Sequence, residues 1–172
     1  DAQESRGLGD VYKRQAVDLL KEAKKKAQEA DAVVLIVGTN SDWETEGNDR
    51  ADLGLPANQD ELVDAVLTEN KNTVVVVNSG SPVSMPWEDQ SKAILQSWFG
   101  GQEYGNALMD ILFGEVNPSG KLPTTFPKRI EDTPAFSCYP GENSQMDYEE
   151  RLLVGHRWYE RKNIKPLFPF GY

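Results

Sequence analysis

The residues with the clearest chemical potential form one polar loop, Ser41–Pro56 (SDWETEGNDRADLGLP). It holds five carboxylates, one arginine, one tryptophan and two glycines in sixteen residues. A loop of that length within a compact domain is usually either functional or disordered. A tryptophan ring can stack on a sugar, a carboxyl group can transfer a proton, and glycine lets the backbone approach a ligand closely. The composition therefore suits carbohydrate chemistry, with a solvated surface loop as the alternative.

Short apolar runs on both sides of this loop predict the strands that hold it in place. Ala32–Val37 (AVVLIV) and Thr73–Val77 (TVVVV) are rich in β-branched residues, as in strands that are buried on both faces. Ala93–Trp98 (AILQSW) is predicted as a third strand, ending before a glycine pair.

Segments with apolar residues at helical spacing lie before and after these strands. Ala16–Ala30 and Gln102–Phe113 both have this spacing, with Tyr104, Ala107, Leu108, Ile111 and Leu112 expected to face inward in the second. Between them, Asn58 followed by Glu61 has the spacing of a capping box that starts a helix. The alternation of strands and helices predicts an α/β domain with a parallel sheet and right-handed crossovers. From Asn117 onward prolines break the pattern, so we expect an irregular tail that wraps an edge without a core of its own.

In an open parallel sheet, ligands bind beyond the carboxyl ends of the strands. Three loops are predicted there: Gly38–Ala57, Asn78–Trp87 and Phe99–Gln102. This topology places five candidate residues on the functional edge of the sheet: Trp43, Glu44, Glu46, Asp49 and Arg50.

The bulk properties exclude several classes of partner. The net charge is −10 and the pI is about 4.6, which argues against nucleic acid and anionic membranes. One cysteine, Cys138, allows no internal disulfide, and a single histidine with a single cysteine is too few for a typical zinc site. We therefore expect no metal and no cofactor. No apolar run is long enough for a membrane span.

Both ends of the sequence look cut. Residues 1–15 (DAQESRGLGDVYKRQ) have no apolar signal core and no helical period, and SRGLGDVYKRQ resembles translated adaptor sequence. We expect this segment to be non-native or disordered, and the domain to be 16–172. The compartment is not specified, with secretion or the periplasm favoured over the cytoplasm.

Several motifs follow one another along the chain. They are Thr45–Arg50 (TEGNDR) with Leu55, Pro56 and Gln59, then Asn78–Val83 (NSGSPV), Trp98–Ala107 (WFGGQEYGNA), Gly114, Asn117–Pro127 (NPSGKLPTTFP), Tyr148–Glu150, Val154–Tyr159 and Phe168–Tyr172. In this order the motifs resemble those of family 3 glycoside hydrolases, and the resemblance covers about Ala16–Tyr172. Asn117–Pro127 is the most specific of them.

This resemblance implies a three-layer α/β sandwich, with a mostly parallel sheet between helices, that follows an N-terminal (β/α)8 barrel. The family's usual reaction is hydrolysis of terminal β-glycosides with retention, on a β-linked oligosaccharide or an aryl or alkyl β-glycoside. The barrel supplies the nucleophilic aspartate and this domain the general acid/base, so the chain alone is expected to be inactive. Its expected partners are the substrate and its own barrel, and a homodimer stays open.

By the motif, the acid/base role falls on Glu46, and Glu44 is the competitor because residues i and i+2 share a face of an extended chain. Ser41–Trp43 imitates the Ser-Asp-Trp signature that carries the family's nucleophile, but here it lies beside the acid/base motif, so Asp42 is interpreted as a loop residue. Trp43 could stack on a sugar or pin the loop to the barrel. Asp49 and Arg50 could bind substrate hydroxyls or anchor the loop, with Arg50 on a carboxylate or on carbonyl oxygens. For His156, the only histidine, packing is favoured over proton transfer.

Two other functions are consistent with parts of the sequence. A non-catalytic carbohydrate-binding module would need only one fixed carboxylate and would bind sugar by itself. A flavodoxin-like nucleotide or phosphate binder is suggested by Asn78–Ser81, but the chain lacks both a G-x-G-x-x-G motif and a P-loop with its lysine.

Overall fold

A computed structural model describes residues 18–47 and 49–172 of the 172-residue chain. The segment 1–15, the first two residues of the helix predicted at Ala16–Ala30, and Asn48 lie outside the described residues. The chain forms two compact units, each assembled from separate stretches. The sheet unit comprises 18–38, Pro56–Val77 and Pro86–Gln96, and the loop unit comprises Thr39–Leu55, Asn78–Met85 and Ser97–Tyr172.

Three strands form one sheet in the order β1-β2-β3. They are β1 (Val33–Gly38), β2 (Thr73–Asn78) and β3 (Ala93–Gln96). β2 and β3 are parallel, with Val74 opposite Ala93. β1 and β2 run the same way, because the N–H groups of Val33 and Thr39 donate to the carbonyls of Asn72 and Asn78 with the same offset. The predicted α/β class with a parallel sheet is confirmed.

The burial of the strands follows their place in the sheet. Val75, Val76 and Val77 in the central β2 are fully buried, as its run of β-branched residues predicts. β1 is an edge strand, and its Val34 and Ile36 are 51% and 54% exposed. The expectation that β1 is buried on both faces was therefore wrong, since the described residues leave one of its faces uncovered. β3 stops before the predicted Trp98, whose φ of +56° lies in the left-handed region and cannot continue a strand.

Among its described residues, the sheet unit contains two helices, α1 (18–29) and α2 (Gln59–Glu69). α2 buries Val63, Val66 and Leu67, so its apolar stripe lies where the sequence predicted it. The side-chain amide of Asn70 joins the ends of the two helices by donating to the carbonyls of Ala27 and Ala30, at 2.9 and 2.8 Å. The capping-box prediction was wrong: Asn58 has φ −105° and ψ 29° and makes no side-chain cap hydrogen bond, whereas a capping residue usually has an extended backbone.

The loop unit contains α3 (Tyr104–Leu112), a 3-10 turn at Ile130–Asp132, and α4 (His156–Lys162). α3 starts two residues later than predicted and buries only Leu108, while Ala107, which was expected to face inward, is exposed.

The proline-rich tail is more ordered than expected. Phe126 pairs with Phe168 in an antiparallel bridge, and the Phe126 ring makes edge contacts with the rings of Trp98 and Phe168 at centroid distances of 6.0 and 6.3 Å. Phe126 and Tyr159 are buried. The tail therefore contributes Phe126 and Phe168 to an aromatic cluster that includes Trp98, a residue that precedes the tail.

Candidate functional site

The two residues that flank the acidic loop in the sheet unit are paired. Gly38 ends β1, and Gln59 begins α2. The Gln59 side chain accepts a hydrogen bond from the Gly38 N–H and donates one to the Gly38 carbonyl, both at 2.8 Å. An amide side chain can satisfy a peptide group in this way because it carries one acceptor and one donor side by side. The chain therefore leaves β1 and enters α2 at fixed points.

A tight turn at Asn40 follows and sets the direction of the next side chains. The Asn40 side-chain oxygen accepts from the N–H groups of Asp42 and Trp43, at 3.1 and 3.2 Å. The Asn40 carbonyl accepts from the N–H groups of Trp43 and Glu44, at 3.0 and 2.8 Å. Asparagine is suited to this position because its short side chain bonds to backbone groups two or three residues later.

The turn brings Glu44 to residues of the loop that follows β2. One Glu44 oxygen, Oε1, accepts hydrogen bonds from the Thr39 hydroxyl at 2.5 Å and from the Gly80 N–H at 3.1 Å. A Cβ at Gly80 would lie 2.5 Å from Glu44 Oε2 and 2.8 Å from the Phe99 ring. Gly80 is thus the point at which the loops that follow the three strands meet.

Glu46 has different surroundings. Its side chain is exposed, and no hydrogen bond or ion pair joins it to the rest of the described chain. Gly47 follows with φ +77°, a backbone conformation that favours glycine. The two candidate carboxylates are therefore not equivalent: Glu44 is held by two donors, and Glu46 is accessible.

Asp49 and Arg50 both bind distant parts of the loop unit. The Tyr139 hydroxyl donates to Asp49, and this hydrogen bond raises the pKa of Tyr139 above its usual value. Arg50 Nη1 donates to the Ser81 hydroxyl at 2.8 Å and to the Pro82 carbonyl at 3.3 Å. Its Nε and Nη2 are buried and have no hydrogen-bond partner among the described residues.

Trp43 is half-buried, and its buried ring Nε1 likewise lacks a partner within the described part of the chain. Two hydrogen bonds, one to a side chain and one between backbone groups, hold the last part of the loop. The Gly54 N–H donates to the Asp52 carboxylate at 2.8 Å, and the Ser84 N–H donates to the Leu53 carbonyl at 2.7 Å. The stretch around Glu46 is exposed, as are Asp42 and Asp52 on either side of it.

Four residues that hold this site were not among the sequence candidates: Thr39, Gly80, Phe99 and Tyr139. Thr39 directly follows β1, and Gly80 and Phe99 lie in the other two predicted loops, so their position after a strand was an available signal. Tyr139 lies 90 residues from Asp49 in the sequence, and no local pattern links the two.

His156 lies elsewhere in the loop unit, where its ring stacks on Phe170 at a centroid distance of 4.9 Å. Together with Thr125 and Tyr159, these rings line a cavity of about 370 Å³. Glu103, at the start of α3, accepts a hydrogen bond from Asn106 at 2.6 Å. Over 18–47 and 49–172, no group of three or more His, Cys, Asp or Glu side chains is arranged to hold a metal ion. None of the helices in the same ranges has the length and apolar character needed to cross a bilayer.

Comparison with known proteins places these features in a family. The model of the glycosyl hydrolase family 3 C-terminal domain matches residues 7–172. The probable beta-glucosidase I of Aspergillus clavatus is 48% identical over 155 residues, which are 90% of this chain and 18% of the relative. The thermostable beta-glucosidase B of Acetivibrio thermocellus is also 48% identical, over 90% of this chain and 20% of the relative.

A solved structure has the same fold. The beta-glucosidase of Kluyveromyces marxianus, crystallised in complex with glucose, superimposes with a TM-score of 0.86 and 46% identity. The alignment covers 89% of this chain and 18% of that structure. The chain therefore spans about a fifth of the length of the proteins that it matches.

Proposed function

The chain belongs to the family of glycosyl hydrolase family 3 C-terminal domains, and we propose that it is part of an enzyme that hydrolyses terminal β-D-glycosides in the manner of a β-glucosidase. The observation that carries this proposal is the 48% identity to beta-glucosidases over nine-tenths of the chain. The substrate would be a β-linked oligosaccharide or an aryl or alkyl β-glycoside. The domain, 16–172 in this proposal, would act with the (β/α)8 barrel of the longer protein, and a homodimer stays a prediction.

Within that enzyme, Glu46 is the general acid/base and the hydrolysis proceeds with retention. Retaining glycosidases hold two carboxyl groups about 5 Å apart across the scissile bond. In this proposal an aspartate of the barrel attacks the anomeric carbon while Glu46 protonates the leaving oxygen. Glu46 then takes a proton from the water that releases the sugar. Its exposure and its freedom from hydrogen bonds within the described chain support this role, because a proton donor must be able to reach the substrate.

The other predicted site residues divide by their contacts. Trp43 keeps a stacking role in the proposal, since its ring is only half-buried. Glu44, Asp49 and Arg50 already bind Gly80, Tyr139 and Ser81 respectively. We assign these three residues to holding the loop and not to binding the sugar.

Substitution of Glu46 in the full-length enzyme tests the role. Glu46→Gln keeps the shape and removes the proton. Its loss of kcat/KM should be larger for alkyl glucosides, whose leaving groups need protonation, than for activated aryl glucosides that do not. Asp42→Asn is the matched control, because Asp42 is an exposed carboxylate of the same loop. Equal losses on both substrate classes would remove Glu46 from the acid role.

A further inference from the structure

We propose that Glu44 is a positioning residue: its carboxylate fixes the base of the loop that carries Glu46, and it does not itself transfer a proton. This inference rests on the proposed acid/base role of Glu46. Its basis is the placement of one carboxylate between Thr39, in the same segment, and Gly80, in a segment that is distant in sequence.

The first step is the set of contacts that Glu44 makes. Oε1 accepts from the Thr39 hydroxyl, five residues earlier, and from the Gly80 N–H, thirty-six residues later. Oε2 lies against Gly80, whose missing side chain leaves the space that this oxygen occupies. The Glu44 side chain thus links the residue that follows β1 with the loop that follows β2. Both of its hydrogen bonds are separate from the backbone hydrogen bonds of the sheet.

The second step is the space beside Gly80. The Phe99 ring lies near the same point as the Glu44 carboxylate, with ring atoms 2.8 and 3.1 Å from where a Gly80 Cβ would stand. Glu44 and Phe99 therefore share the space that a side chain at position 80 would fill. A carboxylate packed in this way has little freedom to change rotamer, and a rigid support is what a catalytic loop needs.

The third step is the short distance along the chain from Glu44 to Glu46. A single residue, Thr45, separates the fixed carboxylate from the accessible one, and Gly47 begins the change of direction. Fixing Glu44 therefore restricts where the Glu46 carboxyl can lie. Because a displacement of about 1 Å at a catalytic group can cost on the order of 100-fold in rate, loss of this support should appear in the chemical step.

Two substitutions in the full-length enzyme separate positioning from catalysis. Glu44→Gln keeps an oxygen that can accept from Thr39 and Gly80, whereas Glu44→Ala removes it. If Glu44 positions the loop, the alanine variant loses about 10- to 100-fold in kcat with a smaller change in KM. Its loss grows as the leaving group becomes poorer, and the glutamine variant loses at least tenfold less. A role in stability alone would lower the melting temperature without this dependence on the leaving group.

A third variant covers the case in which Glu44→Ala does not fold. Thr39→Val keeps the shape of the buried Thr39 and removes the hydroxyl that donates to Glu44. It should show the same dependence on the leaving group in weaker form. The Asp42→Asn variant again serves as the control for a nearby charge.

Three results would overturn the proposal. If Glu44→Gln lowers the activity as much as Glu44→Ala does, then the proton of Glu44 takes part in the reaction. Full activity of the alanine variant would mean that the contact positions nothing, and so would losses that are independent of the leaving group. Failure of the Glu46 assignment is visible separately, because Glu46→Gln would then lose no more activity on alkyl glucosides than on aryl glucosides, whatever the result at position 44.

Discussion

The side-chain amide of Gln59 and the peptide group of Gly38 form a pair of reciprocal hydrogen bonds, each 2.8 Å long. The first residue of α2 therefore completes the hydrogen bonding of the last residue of β1. The sixteen-residue acidic loop lies between these two residues in the sequence, so the pair sets the distance that the loop must span.

Gln59→Leu should destabilise the chain by about 1–3 kcal/mol, because it leaves a donor and an acceptor of Gly38 without partners. Chemical denaturation of the purified domain measures the free energy of unfolding. Gln90→Leu is the matched control, since Gln90 makes one exposed side-chain bond to Asp64 in the same unit and should cost under about 0.5 kcal/mol. Equal effects of the two changes would show that the Gln59 pair adds no stability.

Gly80→Ala should destabilise the domain, because its Cβ would fall 2.5 Å from Glu44 Oε2 and 2.8 Å from the Phe99 ring. Thermal unfolding should show a drop in melting temperature of a few degrees, corresponding to about 1 kcal/mol, because the Glu44 carboxylate and the half-exposed Phe99 ring must both shift. Gly101→Ala is the control, since a Cβ there meets no described atom within 4 Å. Comparable melting temperatures for the two variants would contradict the close packing at Gly80.

The pKa of Tyr159 should lie well above that of ordinary tyrosines. Burial, and secondarily the negative charge of Asp132, raise the pKa of Tyr159 to about 12 from a usual value of 10.0. The folded state then binds this proton more tightly than the unfolded state, so its contribution to stability is complete below pH 10 and is lost as the pH rises towards 12. The change in tyrosinate absorbance between wild type and Tyr159→Phe isolates this group. A difference titration centred at pH 10 would refute the prediction.

Tyr139→Phe should loosen the acidic loop, because it removes the hydroxyl that donates to Asp49. Since this hydrogen bond raises the pKa of Tyr139, the bond is present below pH 10 and is lost as the pH rises through the raised pKa. Hydrogen exchange of peptides that cover residues 45–50 should become faster in the variant at neutral pH. Tyr148→Phe, a change at a 72% exposed tyrosine, should leave the exchange unchanged. Unchanged exchange in both variants would mean that the bond does not restrain the loop.

The purified chain alone should not hydrolyse an aryl β-glucoside, whereas the full-length protein should. A retaining mechanism needs a second carboxyl group across the sugar, and Glu44, the nearest carboxylate in sequence, is held by Thr39 and Gly80. Turnover is measured by release of the aryl alcohol, with heat-denatured chain as the blank. Activity of the isolated chain above that blank would disprove the division of the site between two domains.

Local sequence was sufficient for elements whose residues all favour one conformation. β2 was predicted to within one residue because a continuous run of valines favours a strand that is buried on both faces. The apolar stripe of α2 follows directly from the helical spacing of its apolar residues. β3 was predicted too long because tertiary packing places Trp98 in the left-handed region. α4 has only seven residues, fewer than two helical turns, which is too short for a periodic signal.

The site was predictable in composition but not in contacts. The motifs, taken in order, were enough to place the chain in the family that the comparisons confirmed, whereas the role of Glu46 stays a prediction. The orientation of Glu44 depends on the nearby turn at Asn40. The orientation of Asp49 depends on Tyr139, which lies 90 residues away. Only the first could have been inferred from nearby residues, because long-range pairs follow from the fold as a whole.

The chain passes from the sheet unit to the loop unit at the end of each strand, after Gly38, Val77 and Gln96. The strands and the acidic loop are therefore encoded by separate stretches of the gene. We expect a mutagenesis library confined to residues 51–53 to vary the loop while every strand sequence stays unchanged, because surface loops tolerate substitution better than the elements they connect.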